Sequence, residues 1–204
     1  MNKKSFIARA AVGVVGGALL LGGAGAAIAD EIDNGEVDVN VNIEALPPVG
    51  ALTLSVASGS ATLAEVDSGD DDVRQFNGTL PTVTVSDDRE EVPVGQFWYV
   101  VGQSSALTSG ANSIAAGNLG WTPRLLTAEG DGEVAEGGQV GTVLDGDIGL
   151  STGEDVLALA LDSGDAATVG TWSANADLFL KTPKTVAPGA YSGTITLSLW
   201  EDAY

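Results

Sequence analysis

Carboxylates are the main chemical resource of this 204-residue chain. There are 28 Asp and Glu against eight Lys and Arg, with no histidine and no cysteine. Without those two residue types neither a Ser-His-Asp triad nor a Cys-His pair can be built. The His- and Cys-based zinc sites are excluded for the same reason, and no disulfide can staple the fold. Carboxylates alone can still cleave a glycosidic bond when two face each other in a cleft, and clusters of them can bind calcium. The clusters present are Asp70-Asp71-Asp72 and Asp145-Gly146-Asp147. The residues after Asp145 do not continue as an EF-hand, and Gly137–Gly141 does not follow a glycine-aspartate nonapeptide pattern. Solvated acidic turns are the preferred reading, so no catalytic residue, metal ligand or cofactor is assigned.

The four tryptophans are the second resource. Trp98, Trp121, Trp172 and Trp200 could stack on sugar rings, or they could fill a core. Trp98 lies inside an apolar run and reads as core. Trp121 precedes Thr122-Pro123 in a loop-rich stretch and is expected to be exposed. Trp121 and Trp98 are therefore the candidate binding residues. Lys181 and Lys184 could supply an isopeptide bond only if buried beside an Asn and a carboxylate, and surface lysines are the preferred reading.

The elements that must position these residues read almost entirely as strands. Period-2 alternation and turn residues recur along the chain, and helical periodicity is nearly absent. Val37, Val39, Val41 and Ile43 alternate with polar residues up to Pro47-Pro48. Ala51–Val56 and Ala61–Val66 read as a hairpin closed by Ala57–Ser60, and Asn77-Gly78 reads as a turn. Thr82–Ser86 is a short strand. Phe97–Gln103 is apolar on both faces, as a central strand would be. Residues 104–137 are expected to be loop-rich, interrupted by Leu119–Pro123, and Glu129–Gly141 to be a loop. Val156–Leu161 is a further apolar run. Thr168–Leu180 suggests a kinked strand with Ala174, Ala176, Leu178 and Leu180 on one face. Pro183 and Pro188 bracket a turn. Tyr191–Trp200 closes the chain, with Ile195, Leu197 and Leu199 sharing a face. About nine short strands of this kind predict an all-β chain folded as a single β-sandwich, of immunoglobulin-like or jelly-roll type.

The first 29 residues stand apart. Lys3, Lys4 and Arg9 precede an uncharged apolar run, Ala10–Leu21, and Ala27-Ile28-Ala29 presents a small-residue cleavage site before Asp30. That order defines a cleavable signal peptide, with cleavage between Ala29 and Asp30. The apolar run is too short to span a bilayer, which takes about 20 residues. The expected organisation is a signal peptide over 1–29, an N-terminal arm and first strand over 30–50, and a β-sandwich over 51–204. Loss of residues 1–29 takes the formal net charge from −20 to −23. Such a surface repels nucleic acid and anionic lipid. No second apolar segment, lipidated cysteine or sortase tail is seen. The expectation is an extracellular protein, secreted or held at the cell wall without a covalent bond or a membrane span.

Three stretches carry a family resemblance. Thr82-Val-Thr-Val-Ser-Asp-Asp-Arg89 is followed by Trp98-Tyr-Val-Val-Gly-Gln103 and then by Leu119-Gly-Trp121. Pro188-Gly-Ala-Tyr191 leads into Ser-Gly-Thr-Ile-Thr-Leu-Ser-Leu199. Over roughly residues 37–200 the chain resembles a divergent WxL-type cell-surface domain, in which an Asp-x-Arg segment leads into a tryptophan strand. It is also similar to secreted β-sandwich proteins of Gram-positive, actinobacterial type. Trp98-Tyr99-Val100 is a near match to the first Trp-x-Leu motif, and Leu197-Ser198-Leu199 stands where the second would be. The resemblance implies a non-enzymatic surface protein attached non-covalently through peptidoglycan, with those motifs implicated in wall association. A module that grips another surface protein is the alternative, and a carboxylate-based glycan hydrolase the minor one.

Overall fold

The computed structural model describes residues 50–57, 59–127 and 133–204. The signal peptide, its Ala29/Asp30 cleavage site, the Val37–Ile43 alternation and Pro47-Pro48 lie outside the described residues. The strands, in chain order, are β1 (Leu52–Val56), β2 (Ala64–Val66), β3 (Val73–Thr79), β4 (Val83–Asp87), β5 (Gln96–Ser104), β6 (Leu107–Ser109), β7 (Asn112–Ile114), β8 (Leu119–Leu125), β9 (Val134–Glu136), β10 (Asp155–Ala160), β11 (Thr171–Pro183) and β12 (Ile195–Ala203). One short helix, α1 (Ser163–Val169), precedes β11.

The fold is all-β and sandwich-like, as the alternation predicts. Two antiparallel sheets face each other. In the first, β11 is the spine, paired with β3, β4 and β8. β3 and β4 follow each other along one side of β11, and Leu80 N–H donates to Ala176 O between them. β1 adds to β4 and β2 adds to β3. The second sheet runs β12-β5-β10-β9. β6 and β7 form a separate hairpin.

Alternation on β11 sends Trp172, Ala174, Ala176, Leu178 and Leu180 inward, where all are buried. β5 answers with Trp98 and Val100, and β10 with Leu157, Ala158 and Ala160. A residual void of about 10 Å³ between Val83, Trp98, Leu157 and Trp172 is no larger than one water. The interior is therefore filled by side chains. α1 is started by Asp162, whose Oδ1 accepts from Gly164 N and Asp165 N, and is stopped by Gly170 at φ 79°. It closes one end of the core with Ala166, whose carbonyl accepts from the buried Trp172 indole at 3.0 Å.

Several expectations are corrected. β1 and β2 are not a hairpin; they belong to different partners, because the chain between them carries β2 over to β3. Asn77-Gly78 is not a turn but lies inside β3, opposite Phe179 and Leu178. A Cβ on Gly78 would come within 2.6 Å of Thr62 O, so glycine serves close approach there. Residues 104–137 hold β6 to β9; the interruption at Leu119–Pro123 lies within β8, and the loop expected over Glu129–Gly141 contains β9. The kink expected over Thr168–Leu180 is a helix-to-strand boundary at Gly170, after which β11 runs without interruption for 13 residues.

Candidate functional site

Trp121 is fully buried, which corrects the expectation that it is exposed. β8 places it opposite Leu178 on the inner face of the first sheet. Its backbone exchanges hydrogen bonds with Val140 at 3.0 and 3.1 Å, so the strand is held on both sides. Its ring reaches across to Gly102 of β5, where a Cβ would lie 2.5 Å from the ring edge. A glycine in one sheet thus makes room for a tryptophan from the other. Trp98 is 1 % exposed and is core, as its apolar neighbours predict. The indole N–H groups of both rings are buried without an acceptor, so packing alone holds them. Neither ring can stack on a ligand.

The outer face of the second sheet is where aromatic side chains meet solvent. On β5, alternation sends Phe97 and Tyr99 to the face opposite Trp98. On β12 it sends Trp200 outward while Leu197 and Leu199 turn in, and Trp200 lies directly across from Tyr99. Trp200 is 55 % exposed, the only one of the four tryptophans on the surface. Phe97 stacks near Tyr99 with centroids 6.1 Å apart, and Tyr204 tilts onto Phe97 at 4.9 Å. Tyr204 is fixed by its backbone N–H to Gly95 O and its hydroxyl to Leu161 O. Beside this row lies an open trough of about 380 Å³, lined by Tyr99, Val101, Gly153, Glu154, Val156 and Trp200. Gln103 braces its end by donating to Ser151 O at 3.0 Å. Gly153, at φ 81°, turns the chain into β10.

An ion cluster anchors the strand that carries Trp200. Arg89 grips Asp87 with Nε at 2.8 Å and Nη2 at 2.6 Å, and grips Glu201 with Nη1 at 3.0 Å and Nη2 at 2.8 Å. Asp87 is buried at the end of β4, and Glu201 follows Trp200 on β12. Burial pushes the Asp87 carboxyl up, but its hydrogen bonds to Arg89 outweigh that and hold it below the usual range. Arg89 is driven still further into its charged form by the same bonds. The Asp-x-Arg segment therefore ties the first sheet to β12, a role that residue types alone did not indicate.

The acidic clusters are folded turns. Asp145 Oδ2 accepts from Thr142 N and Oγ1 in a capping box, and its Oδ1 meets Lys181 Nζ. Asp147 accepts from Gly141 N and Ile148 N, and Asp70 accepts from Asp72 N. Among the described residues no group of three or more acids could hold a metal ion. Asp155, one of whose oxygens is buried without a donor, is pushed up by burial and then by Asp147 and Glu154. Arg74 and Arg124 pair with Glu65 and Asp177. The surface is left acidic, and among the described residues no helix is long and apolar enough to cross a membrane.

The motif-like residues lie side by side without forming a surface. Leu199 pairs with Val100, and Leu197 with Gly102, on neighbouring strands whose inner face they share. Comparison with family models, with curated proteins and with solved structures finds no match. The sequence signal for the outer site was the alternation in Phe97-Trp98-Tyr99, which separates the outer rings from the inner one.

Proposed function

We propose that the chain is an exported, non-catalytic module that associates non-covalently with the cell surface or wall through the outer face of its second sheet. The signal-like first 29 residues support export, and the WxL-like strands support a surface role. The observation that carries the reading is the aromatic row on β5 and β12, with Trp200 open to solvent beside the trough. Among the described residues Trp200 and Tyr204 are the exposed aromatic rings, and both belong to this one row, as a contact surface would have them.

A second reading is a module that binds another surface protein by strand addition. It is favoured by β12, which is nine residues long and ends its sheet among the described residues. Sedimentation of the protein expressed without residues 1–29 tests both. It should pellet with purified peptidoglycan. Pelleting only with intact cells, and not with protease-treated ones, would favour the protein partner. Protein left in every supernatant would overturn surface association.

A further inference from the structure

We propose that the trough between Tyr99 and Trp200 is a saccharide site, which seats an uncharged sugar ring against the two aromatic faces with Glu154 accepting its hydroxyl or amide hydrogens. This rests on the surface-association reading and names the ligand class for that same face.

Three observations converge on that chemistry. Tyr99 and Trp200 are direct cross-strand neighbours on one face, so their side chains start about 5 Å apart and both line the trough. A pyranose ring presents apolar C–H faces and a polar hydroxyl rim, and amphipathic aromatic side chains suit the first of these. The floor beside the rings is Val101 and Val156, and among the described residues the only ionisable group lining it apart from Tyr99 is Glu154. A carboxylate only accepts hydrogen bonds when ionised, so it pairs with hydroxyl and amide donors. The volume of about 380 Å³ lies at the small end for ligand sites, which run from roughly 300 to 1,000 Å³.

Charge removes the competing ligands. Asp202 shares the outer face of β12 with Trp200 by alternation, and the protein without residues 1–29 carries −23. Phosphate-bearing polymers and uronic acids would meet like charge at every approach. A nucleobase could stack on the same rings, but its backbone would be repelled.

The structure also supplies the probe. Trp98, Trp121 and Trp172 are buried while Trp200 is exposed, so a ligand in the trough should alter tryptophan emission through Trp200 alone. The protein without residues 1–29 is titrated with chitotriose and cellotriose, with trigalacturonate as the acidic counterpart. At least one neutral trisaccharide should bind and shift the emission, and trigalacturonate should not. By calorimetry, Trp200→Ala and Tyr99→Ala should each weaken binding by at least about tenfold, and Glu154→Gln by less. Far-UV circular dichroism confirms that each variant is folded, and the Trp200 site tolerates truncation because it is exposed. No response to either neutral sugar up to about 10 mM, equal binding of trigalacturonate, or undiminished binding by both aromatic variants would overturn the proposal. If the protein pellets with peptidoglycan yet ignores both trisaccharides, this inference falls and surface association stands. If it binds them but does not pellet, the reverse holds.

Discussion

Trp121 and Trp200 touch opposite faces of the same strand. Trp121 crosses the core to lie on Gly102 of β5, while Trp200 stands beside Tyr99 of β5 on the outside. One is completely buried and the other is 55 % exposed. The same residue type thus joins the two sheets in one place and offers a contact surface in the other. What separates the two is strand parity, together with which sheet lies across the core, and not the polarity of nearby residues. Trp121 sits between a glycine and a Thr-Pro pair and is buried; Trp200 follows an apolar alternation and is exposed.

The inner side of the comparison predicts the largest effect. Trp121→Ala removes a fully buried ring and should cost about 4 kcal/mol in urea unfolding. If the cost were under about 1 kcal/mol, as is usual for surface positions, the inter-sheet role would be wrong. Gly102→Ala pushes a methyl group into the same ring and should cost about 2 kcal/mol. Combining it with Trp121→Leu should recover part of that loss, because the two positions share one contact.

Arg89 links the two sides, since it ties β4 to the strand that carries Trp200. Arg89→Ala leaves the buried Asp87 carboxylate unpaired and should cost about 3 kcal/mol. The pH dependence follows. Asp87 is held below its ordinary value in the fold, so its contribution is complete above about pH 4 and is lost as pH falls through the lower folded value. Asp155 is displaced the opposite way. Its charged form is disfavoured in the fold, so it opposes folding at neutral pH and is relieved as pH falls through its raised value. Asp155→Asn should therefore stabilise the protein at pH 7, with the gain gone below about pH 4. A flat difference between variant and parent across that range would remove Asp155 from the account.

The outer side predicts the smallest effect on stability. Trp200→Ala should shift the unfolding midpoint by no more than about 0.5 kcal/mol, while changing surface binding and tryptophan emission. A large loss of stability would mean that the ring is structural and would erase the distinction from Trp121.

The all-β class was legible because alternation is a local property. Ala174 to Leu180 on β11, and Ile195, Leu197 and Leu199 on β12, turn inward as their spacing predicts. Pairing was not legible. Ala51–Val56 and Ala61–Val66 have hairpin spacing, yet they join β4 and β3, because β3 and β4 together flank β11 and leave a place beside each. Asn77-Gly78 carries turn chemistry but serves close packing under Thr62 and Leu63. The helix α1 leaves no mark in the sequence pattern, because its seven residues are too few to show a helical period.

By itself the sequence determined that no histidine or cysteine chemistry is open to this chain, that its surface is acidic, and that its elements are strands with defined inner and outer faces. These follow from composition and from period-2 geometry, which need no knowledge of partners. Only the tertiary structure decided which tryptophan is inside, what Arg89 holds, and where the open rings gather. Each of those depends on which strand lies opposite which, and strands distant in the chain are brought together by burial of the whole core rather than by any local signal.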